Sequence, residues 1–174
     1  MDSITLLREQ IKGAHDIMDG TMADVTQAQM DWAPPGLANP LGATYGHYLF
    51  TEDWVIQTLM KGGPSLLETT WAGKHGMYEP HPTDWSKYPA WTRSARVDLA
   101  AAREYGKAVY EATDAYLATL KPEDLSQTRD LSGMGMGPTP ISWILNTFLL
   151  AHANNMAGEV SCLKGIQGAK GYPF

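Results

Sequence analysis

Four stretches of the chain place apolar residues three and four apart. In the first, Ile4, Leu7, Ile11, Ala14, Met18, Met22 and Val25 share one helical face, the pattern of a helix that buries one side. Asp2 or Ser3 supplies its N-cap, and the Asp-Trp-Ala-Pro-Pro-Gly run at 31–36 is its stop. Asn39-Pro40 reads as a cap followed by proline at the first helical position. It introduces Leu41, Tyr45, Tyr48, Leu49, Glu52, Val55, Ile56 and Leu59, and Gly62-Gly63-Pro64 closes that second helix. Ser94 is the predicted cap of a third, carrying Val97, Ala101, Tyr105, Ala108, Ala112 and Tyr116 as far as Lys121-Pro122. The fourth opens at Thr139-Pro140 and continues through Leu145, Phe148, Leu149, His152, Met156, Val160 and Leu163. No window of similar length alternates strictly, so no sheet is predicted.

Four amphipathic helices of about 20 to 25 residues need one another's apolar stripes, which predicts an all-α four-helix bundle over a single domain, residues 1–174. The connections are unequal. Residues 62–93 show little periodicity and exceed the usual two to eight residues of a bundle loop, so a long crossover is predicted between helices two and three. The crossover holds Trp71, Tyr78, Trp85, Tyr88 and Trp91. That much aromatic surface is expected to fold back over the helices.

Composition narrows the function classes. The 174 residues carry 13 Lys and Arg against 19 Asp and Glu, a net charge of −6, which argues against a phosphate-backbone partner and so against nucleic acid. The single Cys162 excludes an internal disulfide and any multi-cysteine zinc cluster. No stretch reaches the roughly eighteen apolar residues of a membrane span, and the N-terminal segment lacks the apolar core of a signal peptide. A cytoplasmic protein that does not engage a membrane is the expectation.

Of the five histidines, His152 lies on the apolar stripe of helix four, and His47 sits in helix two one turn from Phe50 and two from Trp54. Inward histidines on facing helices are how bundles build metal sites. Equally, a buried histidine is ordinarily satisfied by a hydrogen bond.

Residues 158–174, ending Gly171-Tyr172-Pro173-Phe174, resemble the C-terminus of the DinB/YfiT-like superfamily. So do Asn39-Pro40-Leu41-Gly42-Ala43 leading to His47 and Glu52-Asp53-Trp54, Trp71-Ala72-Gly73, and Asp130-Leu131-Ser132-Gly133. The resemblance implies a four-helix bundle with a long crossover, a homodimer, and, in many members, three histidines holding zinc or nickel. Characterised members of that superfamily include thiol-dependent transferases and a maleylpyruvate isomerase that use low-molecular-weight thiols, and many others have no known activity.

The motif places one histidine in helix two and two in helix four, four residues apart. His47 and His152 match, but the third position is Met156. A thioether is a soft, weak ligand, poorly suited to zinc or nickel, and Met is also an ordinary core residue. Glu159 lies about 10.5 Å along the helix from His152, too far to share an ion with it directly. Asn155 is a feeble ligand, and Glu52, Asp53, His75 or His81 would have to be brought in by the fold.

The reading is therefore a degraded three-histidine site, with the divalent metal absent or weakly held, in a non-catalytic or small-ligand-binding bundle. Trp54, Asn155 and Glu159 would surround the pocket. The alternative is a metal-dependent hydrolase or thiol-dependent transferase using His47 and His152. Three weaker signals read as ordinary structure: the Gly133–Gly137 run as a flexible loop, Cys162 as a packed thiol, and Trp54 and Trp143 as core.

Overall fold

The computed structural model describes residues 1–174, the side chain of Trp85 excepted. Helix α1 runs from Ser3 to Met22, capped by the Asp2 carboxylate, which accepts from the Thr5 amide at 2.8 Å. It buries Ile4, Ile11, Ala14, His15, Met18 and Met22. It ends short of Val25, and a reciprocal capping box between Thr26 and Gln29 starts a separate turn, α2 (Gln27–Asp31).

Helix α3 (Leu41–Asp53) continues as a π-helical segment to Met60. Pro40, not Asn39, occupies its cap position, and no side chain caps it. The proline ring itself sets φ for the helical entrance. After the crossover, with its short helix α4 (Tyr88–Ser94), comes α5 (Leu99–Leu117). Its cap is Asp98, accepting from the Ala101 amide at 2.8 Å. Ser94 instead closes α4, so the predicted third helix starts late. It also stops at Leu117, ahead of Lys121-Pro122. The last long element joins α6 (Ile141–Leu145), a π segment (Asn146–Ala151) and α7 (His152–Ile166).

The prediction of no sheet is corrected by a small antiparallel pair, β1 (Thr128–Asp130) and β2 (Pro138–Pro140), with Arg129 opposite Thr139. Three residues per strand are too short for alternation to register. The Gly133–Gly137 run forms the connection, with Gly135 and Gly137 at positive φ. The four long helices otherwise form the expected all-α bundle, α1 against α7, α7 against α3, and α3 against α5, with the α5–α1 side least closed. Among the described residues, no helix is long and apolar enough to cross a membrane.

The crossover is tied down at its start by Asp53. Its carboxylate, 1% exposed, accepts from the Leu66 and Leu67 amides at 2.9 Å each and from the Tyr105 hydroxyl at 2.6 Å. Further on, Gly76 passes so close to the N-terminus of α5 that a Cβ would lie 2.7 Å from the Asp98 carbonyl and the Ala102 amide nitrogen. Trp91 is buried and donates from its indole to the Glu79 carbonyl at 3.0 Å. Trp71 and Tyr88 pack on the core, whereas Tyr78 stays exposed. Trp85's side chain falls outside the described set. Two other expectations are corrected: Cys162 is exposed rather than packed, and Trp143 in α6 is 43% exposed, its ring meeting that of Phe148 edge to face.

Candidate functional site

His47 projects from the middle of α3 and His152 from the first residue of α7, immediately after the π segment. Their rings meet edge to face at 5.1 Å between centroids, with the two Nε2 atoms 3.3 Å apart. The crossover adds a third ring. His81 is 4% exposed, stacked on Phe50 at 4.1 Å and flanked by Trp91 at 4.6 Å. Its Nε2 lies 2.9 Å from His47 Nδ1, and its Nδ1 lies 2.8 Å from the Pro82 carbonyl oxygen.

Burial drives all three imidazoles toward neutrality. His47 is pushed down to about 3, its two histidine neighbours adding to the burial, and His81 and His152 to about 4. A neutral imidazole has one N–H and one acceptor nitrogen, so the Pro82 carbonyl sets every proton in the row. His81 Nδ1–H donates to that carbonyl, and His81 Nε2 must accept. His47 Nδ1–H donates to His81, and His47 Nε2 must accept. His152 Nε2–H donates to His47, which leaves His152 Nδ1 as an acceptor. Among the described residues that atom is buried with no hydrogen-bond partner. These tautomers are assigned from the network.

The remaining predicted site residues divide. Met156 is partly buried against the core, one turn beyond His152. Trp54 packs between the two core clusters. Asn155 is exposed. Glu159 is exposed, partial burial raises its carboxyl, and the Tyr88 hydroxyl is pushed up to about 12 by its own burial with the Glu159 charge adding to it. Tyr88 is 5.0 Å from the His47 ring, so Glu159 stands behind a tyrosine rather than at the histidines.

Glu52 and Asp53 do not supply a missing ligand. Asp53 holds the crossover, and Glu52 reaches across the bundle to His15 and Thr113. His75 is buried and accepts from the Met77 amide through Nδ1. Among the described residues, no group of three or more His, Cys, Asp or Glu is arranged to hold a metal ion.

The fit to zinc or nickel is partial. The 3.3 Å separation of the Nε2 atoms suits two donors at Zn–N distances of about 2.0–2.1 Å. His47 also has the outer partner expected of a ligand, its Nδ1–H being held by His81. His152 lacks one among the described residues: presenting its Nε2 lone pair would put the proton on Nδ1, for which they offer no acceptor. His81 faces the wrong nitrogen of His47, and Met156 replaces the third imidazole, so the residues present do not form the three-nitrogen set.

Sequence reasoning missed His15, and it named His81 only as a residue that the fold would have to bring in. His81 lies in the aperiodic crossover, where no stripe predicts burial. His15 did leave a signal, since it neighbours Ala14 on the buried stripe of α1 and Glu52 lies on that of α3.

The family model described as the DinB superfamily matches residues 10–155. A solved structure, the conserved protein of a locus from Enterococcus faecalis, is similar at 22% identity and a TM-score of 0.79, covering 97% of this chain and 99% of that one. No curated protein matches.

Proposed function

The chain belongs to the DinB superfamily, and on that premise we propose that it is a small-ligand-binding bundle without metal-dependent catalysis. The observation that supports this reading is the use His47 makes of its ring. Both nitrogens are engaged, Nδ1 with His81 and Nε2 with His152, while Met156 stands where a third imidazole is required. A neutral row of hydrogen-bonded rings in an apolar setting is a stable structural unit. In this reading DinB-like binding of zinc or nickel is reduced to weak, two-histidine affinity. A homodimer, implied by the resemblance, belongs to the same proposal.

The second reading, a metal-dependent hydrolase or thiol-dependent transferase, is favoured by the Nε2 separation and by the His81 support behind His47. Metal content after purification without a histidine tag, followed by zinc and nickel titration, separates the two. The expected result is well below one equivalent as purified, with affinity weaker than micromolar. Met156→His should then tighten binding about 100-fold or more, because residues four apart share a helix face and a third neutral imidazole completes the set. Near one equivalent in the parent, bound with submicromolar affinity, would overturn the proposal.

A further inference from the structure

The histidine row ends on a lone pair. Because the Pro82 carbonyl keeps the proton of His81 on Nδ1, each ring donates toward its neighbour, and His152 is left with Nε2–H toward His47 and an unprotonated Nδ1. That nitrogen is buried, and among the described residues no donor reaches it. Leaving a buried acceptor without a donor costs about 1–3 kcal/mol. Turning the ring to its other tautomer would not relieve this cost, since it would break the bond to His47.

Met156 follows one turn later on α7. Residues four apart share a helix face, and a helical side chain covers the turn N-terminal to its own Cα, so the thioether is directed over the turn that carries His152. Met156 packs against the core but remains partly exposed, which leaves the pair approachable from outside.

The donor chemistry selects the ion. An imidazole nitrogen and a thioether sulfur are both neutral, and soft sulfur favours copper(I) over zinc or nickel. No carboxylate joins them: Glu52 is engaged by His15 and Thr113, Asp53 holds the crossover, and Glu159 is exposed. The cost of taking an ion out of water grows with the square of its charge, so in a neutral, buried setting a monovalent ion loses about a quarter of what a divalent one does. Monovalent d10 ions are also stable with two ligands in line, which zinc is not.

We propose that His152 Nδ1 and Met156 Sδ form a binding site for a soft monovalent cation, copper(I). The ion takes the lone pair that the row leaves over, so no bond within the row is broken. A three-imidazole arrangement differs, because it needs the Nε2 lone pairs of both His47 and His152. The inference goes beyond the small-ligand reading above and rests only on the neutral row within it.

The test uses the full chain carrying Cys162→Ala, which removes an exposed thiol that would itself take copper(I). Copper(I) is supplied under argon with ascorbate, against bicinchoninate as competing chelator. Silver(I), which is redox-inert, is the NMR probe in chloride-free buffer. One equivalent should bind, the Met156 methyl and His152 Nδ1 resonances should shift together, and the His47 and His81 nitrogens should keep their tautomers. Met156→Leu, a near volume-conserving exchange, should weaken copper(I) by about tenfold or more and leave the zinc affinity unchanged. Copper(I) affinity unchanged in Met156→Leu, shifts confined to the exposed Met134 and Met136, or a response at His152 Nε2 with loss of its bond to His47 would each overturn the proposal. Zinc and nickel titration reports on the functional reading without copper or silver present, so the two readings fail separately.

Discussion

Acid should unfold this protein well before its carboxylates are neutralised. An unfolded histidine titrates near 6.5, whereas His47 in the fold is held at about 3 and His81 and His152 at about 4. A lowered folded value means the unfolded chain binds the proton first. The stability contributed by the neutral rings is therefore complete above pH 6.5 and is lost as pH falls from there toward 4. At pH 5 the loss is about 2 kcal/mol per ring, at 1.36 kcal/mol per unit, and about 6 kcal/mol for the three. That is a large part of a total stability of about 5–15 kcal/mol.

The depressed carboxyls at Asp24, Asp114 and Asp130 release their stabilisation only at lower pH, below their ordinary value of 3.8, so the two windows are distinct. Urea unfolding followed by far-ultraviolet circular dichroism, with chelator present, at half-unit steps from pH 7.5 to 4.5 measures the effect. The slope near pH 5 should approach 4 kcal/mol per unit, from three protons at 1.36 each, and His152→Gln should remove about a third of it. A midpoint unchanged between pH 7 and 5, or a slope unaltered by that substitution, would refute the neutral row.

Three further outcomes are expected. Asp53→Ala removes the acceptor for two amides and the Tyr105 hydroxyl, which should cost about 3 kcal/mol or more, since each buried donor left alone costs about 1–3; urea midpoints measure the loss, and limited proteolysis should open residues 62–93 first. Gly76→Ala puts a Cβ against backbone at 2.7 Å with φ at +82°, so the melting temperature should fall clearly, whereas Gly133→Ala, with open space around it, should leave it nearly unchanged. Met156→Leu should cost less than about 1.5 kcal/mol as a near volume-conserving exchange, again read from urea midpoints.

The helices were legible where burial follows the helical period and misplaced where burial has another cause. Val97 stands in the predicted stripe of the third helix, and it is buried, at 1% exposure. Its burial comes from a β-bridge to Met77 in extended chain, so a strand residue mimicked a helical position and drew the predicted start back to Ser94. The π segments were hidden for a related reason. An extra residue in one turn shifts the stripe without interrupting it, and the spacing Leu145, Leu149, His152 fits both geometries. Of the site, His47 and His152 were readable because helices two and four bring their buried faces together. His81 was not, because its position is set by Pro82, Phe50 and Trp91 rather than by any period.

The bundle accommodates buried imidazoles in two different ways, and their separation follows from Glu52. At one end the Pro82 carbonyl gives three neutral rings a fixed direction of hydrogen bonds. At the other, His15 lies on a carboxylate that is also held by Thr113. Tyr48 and Tyr110 stand between them, with ring centroids 6.2 Å apart, and Tyr48 lies 6.3 Å from the His152 ring. Glu52 is close enough to His152 for its charge to oppose the effect of burial there. That charge already favours protonation of His152 and is outweighed there by burial. Glu52→Gln, which removes the charge and keeps the side chain's size, should therefore lower the His152 pKa further. A histidine titration by NMR in that variant, showing His152 unmoved, would separate the two ends and remove this coupling.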